Sequence, residues 1–169
     1  MKEAIQDMPW KDVMFRNFAR PKAIHTLWRA CHNSLPTKER LLKFGLIDNQ
    51  ECGFCRNGEN LNHIFFLCHG TRIVWESVLE WLQVQHHPQQ WDSEILWLTG
   101  ICKRKSWKNR IIQCAFTETI YECWRLRNAV CFGEPDSPQQ RIANIVNTTV
   151  LRCWSQKNIR PYLGRLMLP

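Results

Sequence analysis

Apolar residues recur every three or four positions along most of the chain, which is the spacing of helices that bury one face. This spacing predicts a short helix from Trp10 that stops before Pro21, and a second helix from Pro21 to about Asn33. Thr37 is placed to cap a third helix, which ends at Gly45. Strand-like alternation is nearly absent, so the pattern predicts a mainly α fold.

A polar segment interrupts this pattern near the middle of the chain. A helix follows Gly70, and the polar residues 83–90 after it contain Pro88. Such a segment favours a linker, and we expect its two adjacent histidines, His86 and His87, to be exposed to solvent. The pattern therefore predicts two helical subdomains.

The chain after this segment is again helical. Residues 91–98 have the length of a short helix, which Gly100 ends. An apolar stripe predicts one long helix over residues 105–132. Ser137 then starts the last helix as its N-cap, with Pro138 in the first helical position.

The stretch between the third and fourth predicted helices has the spacing of a metal site. Cys52, Cys55, His63 and Cys68 follow the pattern C-x2-C-x7-H-x4-C, and three thiols with one imidazole are a ligand set of structural zinc. His69 is an alternative to Cys68 as fourth ligand, although we favour Cys68. A redox dithiol would follow a strand and open a helix, and inert buried cysteines are the other alternative. The motif predicts one structural Zn²⁺ in a zinc knuckle-like loop.

Composition limits where we expect the protein to work. The chain has nine cysteines, an odd number, and residues 1–9 lack the charged-then-apolar pattern of a secretory signal and are expected to form a mobile lead-in. No apolar run approaches the roughly 20 residues that cross a bilayer. We therefore expect an intracellular protein, nuclear or cytoplasmic, without a membrane partner.

Charge is distributed unevenly along the chain, whose net charge is +8. Residues 1–49 carry nine basic and five acidic side chains, and residues 101–169 carry twelve and four. Residues 50–100 carry two basic and six acidic side chains. Positive charge towards both ends favours a polyanionic partner such as nucleic acid, although a basic helical face can also be simply solvated.

Two groups of side chains are candidates for nucleic-acid contacts. Phe54 and Arg56 project from the predicted metal loop, where Phe54 can stack on a base and Arg56 can meet a phosphate. A place for Phe54 in the core is an equal alternative. The other candidates are basic residues at the start of the long helix and along it: Lys103, Arg104, Lys105, Lys108, Arg110, Arg125 and Arg127. Positive charge at a helix N-terminus opposes the helix dipole, and a bound phosphate would offset that cost.

Several segments together resemble a known family. The chain is similar to the zinc-binding domain at the C-terminal end of reverse transcriptases from plant non-LTR (LINE-type) retrotransposons. The matching residues are Trp10, Pro21-Lys22, Leu27-Trp28-Arg29-Ala30, Asn33-Ser34-Leu35-Pro36-Thr37, Leu41, Phe44-Gly45, Cys52, Cys55, Glu59, His63-Ile64-Phe65-Phe66, Cys68, Val74-Trp75, Trp124-Arg125, Arg127-Asn128 and Phe132. Asn60 departs from the family, which usually has Thr after its Glu.

The resemblance implies a non-catalytic module that helps hold RNA template or target DNA, with single-stranded RNA or DNA and the polymerase domain of the same polyprotein as partners. It supplies no polymerase active site and no small-molecule substrate. From the helical pattern and the polar segment we expect a helical zinc-binding domain over residues 1–84, a linker over 85–92 and a basic helical subdomain over 93–169. The alternatives are a protein-interaction module that docks onto the polymerase body or a host partner, and a hydrolytic zinc enzyme, which needs an open coordination position.

Overall fold

The computed structural model describes residues 8–167, and in this range the protein is helical without β-strands. The predicted mainly α class is therefore confirmed. Most of the predicted lead-in lies outside the described residues. The helices are α1 (Lys11–Met14), α2 (Pro21–Cys31), α3 (Lys38–Lys43), α4 (His69–Trp81), α5 (Trp91–Cys102), α6 (Trp107–Phe132), α7 (Pro138–Trp154) and α8 (Gly164–Met167), with a π-helical turn (His63–Leu67) before α4 and a 3-10 turn (Arg160–Tyr162) before α8.

Helix α6 forms the centre of the molecule. All ten of its residues from 111 to 120 are buried, because α2, α4, α5 and α7 pack around it. A helix surrounded on all sides must bury its polar residues as well as its apolar ones, and Gln113, Glu118 and Glu122 are each at most 4% exposed. Each of these polar groups is hydrogen-bonded, as buried polar groups require.

Several predicted helix ends are confirmed. Thr37 Oγ1 accepts a hydrogen bond from the backbone N–H of Arg40 at 3.3 Å, and Ser137 Oγ accepts one from that of Gln140 at 3.2 Å. Gly45 has a φ of +67°, the left-handed conformation expected after a helix C-terminus. Gly100, in contrast, does not end α5. That helix continues through it to Cys102, because Ile101 and Cys102 pack against the core.

The segment predicted to be a linker is packed onto α5. The His86 ring stacks on Trp97, with centroids 3.8 Å apart and an interplanar angle of 8°, and His86 Nε2 lies 2.9 Å from Glu94 Oε2. The His86 side chain is only 8% exposed, so the expectation of a solvated histidine is wrong at this position. Helices before and after this segment share one hydrophobic core, which gives no support to a subdomain boundary at 85–92.

A buried network of charges joins three helices. Arg20, which precedes α2, pairs with Glu118 at 2.7 Å and with Glu122 at 2.8 Å on α6. Arg141 of α7 contacts the other oxygen of Glu122 at 2.8 Å and also pairs with Asp136. Each carboxylate on α6 thus has a cationic partner, which offsets the cost of removing it from water.

No helix within residues 8–167 is long and apolar enough to span a membrane.

Candidate metal centre and basic groove

Two short turns bring the predicted metal ligands together in the metal loop (residues 51–68). At the first turn, the Cys52 backbone N–H donates to Asn57 O at 2.7 Å and the Arg56 N–H donates to Cys52 O at 2.9 Å. Arg56 closes this turn with a φ of +62°, which is a strained conformation for a residue with a side chain. The turn therefore directs Cys52 and Cys55 towards the interior of the loop.

The second turn is the π-helical segment that His63 begins. Asn60 Oδ1 accepts a hydrogen bond from the His63 N–H at 2.9 Å, and the Cys68 N–H donates to His63 O at 2.9 Å. Cys68 then serves as the N-cap residue of α4. Both the irregular turn and the start of a rigid helix thus position the second pair of ligands.

The four ligand atoms of Cys52, Cys55, His63 and Cys68 all lie within 4.8 Å of one another. The sulfurs of Cys52 and Cys68 are 3.7 Å apart, and those of Cys55 and Cys68 are 4.0 Å apart. Two sulfurs of a tetrahedral site with Zn–S bonds of about 2.3 Å are about 3.8 Å apart. The cluster therefore suits one zinc ion, and His69, an exposed residue at the start of α4, is not part of it.

The thiols of this cluster influence one another through hydrogen bonds. The hydrogen bond between Cys52 and Cys68 lowers the pKa of Cys52 to about 4 and raises that of Cys68 well above its usual value. The backbone N–H of Phe54 also donates to Cys52 Sγ at 3.4 Å. These hydrogen bonds stabilise the thiolate of Cys52, and thiolate is the form of cysteine that binds zinc.

The metal loop is fixed to the C-terminal part of α6. Glu59, which is 1% exposed, accepts hydrogen bonds at 3.1 Å from Arg127 Nε and at 2.8 Å from the backbone N–H of Lys38. Gly53 lies so close to α6 that a Cβ there would be 2.8 Å from Val130 Cγ1. The first residue of α3, the metal loop and α6 therefore meet around a single buried carboxylate.

Arg127 is consequently not available as a nucleic-acid contact. Its side chain is 8% exposed, is paired with Glu59 and lies over the ring of Trp124, so this prediction from the sequence is wrong. Arg125 is exposed and lies over Tyr121, with 5.9 Å between its guanidinium carbon and the ring centroid.

The two candidates within the metal loop have different surroundings. Phe54 is half-buried and packs against Gly70 at the start of α4, where a Cβ on the glycine would be 2.4 Å from the ring. Arg56 is exposed. Contact with nucleic acid stays a prediction for Arg56, while packing accounts for Phe54.

The remaining basic candidates lie at the other end of α6. Lys103, Arg104 and Lys105 are exposed in the turn that follows α5 rather than in the first turn of α6. Lys103 is the C-cap residue of α5, where positive charge is favourable for the helix dipole. The expected cost of placing these three residues at a helix N-terminus is therefore absent, and only Lys108 and Arg110 lie within the start of α6.

This turn borders a cavity of about 460 Å³, which we call the basic groove. Its charged and aromatic lining consists of Asp12, Phe15, Arg16, Lys103, Arg104, Lys105, Trp107 and Arg110. The loop after α1 forms one wall, and the α5–α6 turn with the start of α6 forms the other. Sequence patterns did not place Phe15 or Arg16 beside these basic residues, because the two lie almost ninety positions earlier in the chain.

The metal loop and the basic groove are far apart. The metal loop contacts α6 near Val130, whereas the groove contacts it near Arg110, and at 1.5 Å per residue these positions lie about 30 Å apart along the helix axis. Phe54 and Arg56 of the metal loop therefore lie far from the predicted contacts that line the basic groove.

The fold and the ligand set define a helical zinc-binding module. A family model described as zinc-binding in reverse transcriptase matches residues 1–75, which include all four ligands. Over these residues the chain is thus similar to a zinc-binding region rather than to a catalytic domain. Comparison with curated proteins and with solved structures gives no match.

Proposed function

We propose that this chain is a non-catalytic, zinc-stabilised nucleic-acid-binding module from the C-terminal part of a non-LTR retrotransposon reverse transcriptase, where it holds RNA template or target DNA. The observation that carries the proposal is the basic groove. It presents five cationic side chains around one cavity, with Asp12 as the opposing carboxylate. Such a concentration of positive charge attracts a phosphate backbone.

The difference in pairing between the arginines of the fold and the cations of the groove supports this proposal. Arg20, Arg127 and Arg141 are each held by buried carboxylates and stabilise the fold. The cationic side chains of the groove form no ion pair with any carboxylate of residues 8–167. Charges without such partners are free to neutralise phosphates of a ligand.

The metal centre supports a structural role for zinc in this function. All four positions of a tetrahedral zinc are filled by protein side chains, and such a closed site has no position for a substrate or a reactive water. Zinc would then fix the metal loop against α6, while binding takes place on the protein surface.

A titration of labelled single-stranded RNA with the zinc-loaded protein tests the proposal. We expect binding that weakens between about 50 and 200 mM salt, measured by fluorescence anisotropy. Each phosphate contact contributes about 0.7 to the slope of log K against log salt, so Lys103→Ala/Lys105→Ala should reduce that slope by about 1.4. The matched control is Lys22→Ala/Lys43→Ala, which removes two exposed lysines outside the groove and should leave the slope unchanged.

Two results would contradict the proposal. The first is an absence of binding to RNA and DNA strands at low salt. The second is an equal loss of slope in both double variants, because it would indicate a response to net charge rather than to the groove.

A second candidate function is docking onto the polymerase body or a host protein. The observation in its favour is an apolar surface at the C-terminal end of α3, where Leu42 and the following Phe44 and Leu46 are 38%, 63% and 68% exposed. Exposed apolar residues that lie close together are typical of interaction sites. Replacing Phe44 and Leu46 with Ser should weaken pull-down of the polymerase domain without changing RNA affinity, and unchanged capture would exclude this surface.

A further inference from the structure

We infer that the basic groove holds one nucleotide unit of a single strand, with the base on Phe15 and the phosphate between Arg16 and the Lys103–Lys105 turn. This inference rests on the proposed nucleic-acid binding and specifies where it takes place. It assigns the strand to the groove and not to the metal loop.

Phe15 presents an exposed aromatic ring at the edge of the groove. Its side chain is 65% exposed although it borders a cavity, and Arg16 lies over its ring with 5.1 Å between the guanidinium carbon and the ring centroid. An aromatic face beside a guanidinium is the combination on which single-stranded bases stack. Phe15 thus offers a surface for a base next to a positive charge for its phosphate.

The loop that carries Phe15 is fixed to α6 by hydrogen bonds. Gln113 of α6 is 4% exposed, and its side-chain amide donates to Val13 O at 2.8 Å and to Phe15 O at 3.0 Å. Arg110 also donates to Arg16 O at 3.4 Å. A buried amide of the central helix is therefore used to fix an exposed aromatic residue. Rigid presentation lowers the entropic cost of binding.

The backbone of Arg16, the residue after Phe15, has a φ of +52°. This left-handed conformation is unfavourable for a residue with a Cβ, and such conformations concentrate at binding sites. It turns the chain so that Phe15 and Arg16 both line the groove. The strained residue and the opposite α5–α6 turn then supply positive charge from two sides.

The exposed ring of Phe15 favours a single strand over a duplex as the ligand. Phe15 can stack only on a base whose face is free, and bases in a duplex are covered by their neighbours. The other aromatic residue of the groove, Trp107, already stacks on Tyr162 with centroids 4.7 Å apart. One free aromatic face in a cavity of about 460 Å³ matches one unpaired nucleotide of a strand rather than a duplex.

Two matched pairs of variants test this inference in the zinc-loaded full chain. Phe15→Ala should weaken binding of a labelled RNA strand of about ten nucleotides by about 5- to 150-fold, the loss of one stacked base. Phe44→Ala, which removes an equally exposed phenylalanine elsewhere, should not. Arg16→Gly should weaken binding, whereas Gln83→Gly should not, although both replace a residue with positive φ. Thermal melting checks that all four variants are folded.

The outcomes separate the inference from the proposed function. If the wild-type protein binds the strand but Phe15→Ala and Arg16→Gly bind equally well, the groove assignment is wrong and the proposed function stands. If the wild-type protein does not bind at low salt, the proposed function fails first. Equal competition by a duplex of the same length, or by adenosine monophosphate, would overturn the assignment to a strand.

Discussion

At the residue scale, the metal centre depends on four side chains from two turns. We expect His63→Ala to lose the zinc that the wild-type protein holds at one ion per chain, and to lose the folded structure of residues 46–70. Structural zinc contributes on the order of 10–16 kcal/mol to the folding of zinc-finger peptides, so the effect should be large. Metal analysis by mass spectrometry measures the zinc content. His69→Ala is the matched control, since His69 is exposed and outside the cluster, and zinc loss in this variant would contradict the assignment of Cys68.

Gly53 is required for a different reason, the close approach of the loop to α6. A methyl group at this position would lie 2.8 Å from Val130 Cγ1. We expect Gly53→Ala to lower the free energy of unfolding by about 1–3 kcal/mol, the usual cost of overpacking. Val130→Ala in the same chain should restore most of this loss, as measured by urea denaturation. A lack of rescue would show that the contact with Val130 is not the reason why this position requires glycine.

The sequence predicts the four metal ligands but not the partners of Arg127 and His86. The four ligands fall within seventeen positions, so their spacing alone indicates a common site. Arg127 and Glu59 are 68 positions apart, and helical periodicity cannot show that one neutralises the other. The same limitation applies to His86, whose polar neighbours indicate a solvated loop while its ring is buried against Trp97.

At the element scale, the ion pair of Glu59 with Arg127 joins the metal loop to α6. Arg127→Met should cost about 3–5 kcal/mol of stability, because it leaves a buried carboxylate without its cation. The matched control is Arg72→Met, which removes an exposed helical pair with Glu76 and should cost less than about 1 kcal/mol. Urea unfolding of both variants measures the difference. Similar losses would mean that the buried pair does not hold the loop to the helix.

Asp136 lies in the loop between α6 and α7 and pairs with Arg141 of α7. This ion pair should make the stability of the fold depend on pH. Burial alone would raise the pKa of Asp136, but hydrogen bonds from Arg141 and the Ser137 backbone N–H lower it below its ordinary value of 3.8. A carboxyl group with a lowered pKa stabilises the fold above pH 3.8, and this contribution is lost as pH falls through the folded-state pKa. Asp136→Asn should therefore be less stable than wild type at neutral pH, with a difference that shrinks in acid. A pH-independent difference in urea midpoints would contradict this explanation.

Element boundaries were predictable where a local signal set them. The Ser137 cap and the extent of α6 follow from nearby residues, and the structure confirms them within two positions. Gly100 was expected to stop α5, but tertiary packing of Ile101 and Cys102 outweighs its weak helix propensity. Because α5 extends to Cys102, Lys103 lies at the end of α5 and not at the start of α6 as predicted.

At the scale of the whole molecule, α6 relates the two sites to each other. The metal loop is attached near its C-terminal end and the basic groove is built at its N-terminal end, about 30 Å away. Zinc would therefore stabilise one end of the fold while nucleic acid binds at the other. No sequence pattern indicates this separation, because it depends on how α1 and α5 pack around the first turns of α6.

Hydrogen–deuterium exchange of the zinc-loaded and the chelator-treated protein tests the central claim, that zinc holds the metal loop against α6. We expect zinc removal to increase exchange most in residues 51–68 and in the last turns of α6 around Arg127. The middle of α6, which is buried by four other helices, should keep more protection. Equal exchange of residues 51–68 with and without zinc would contradict the account.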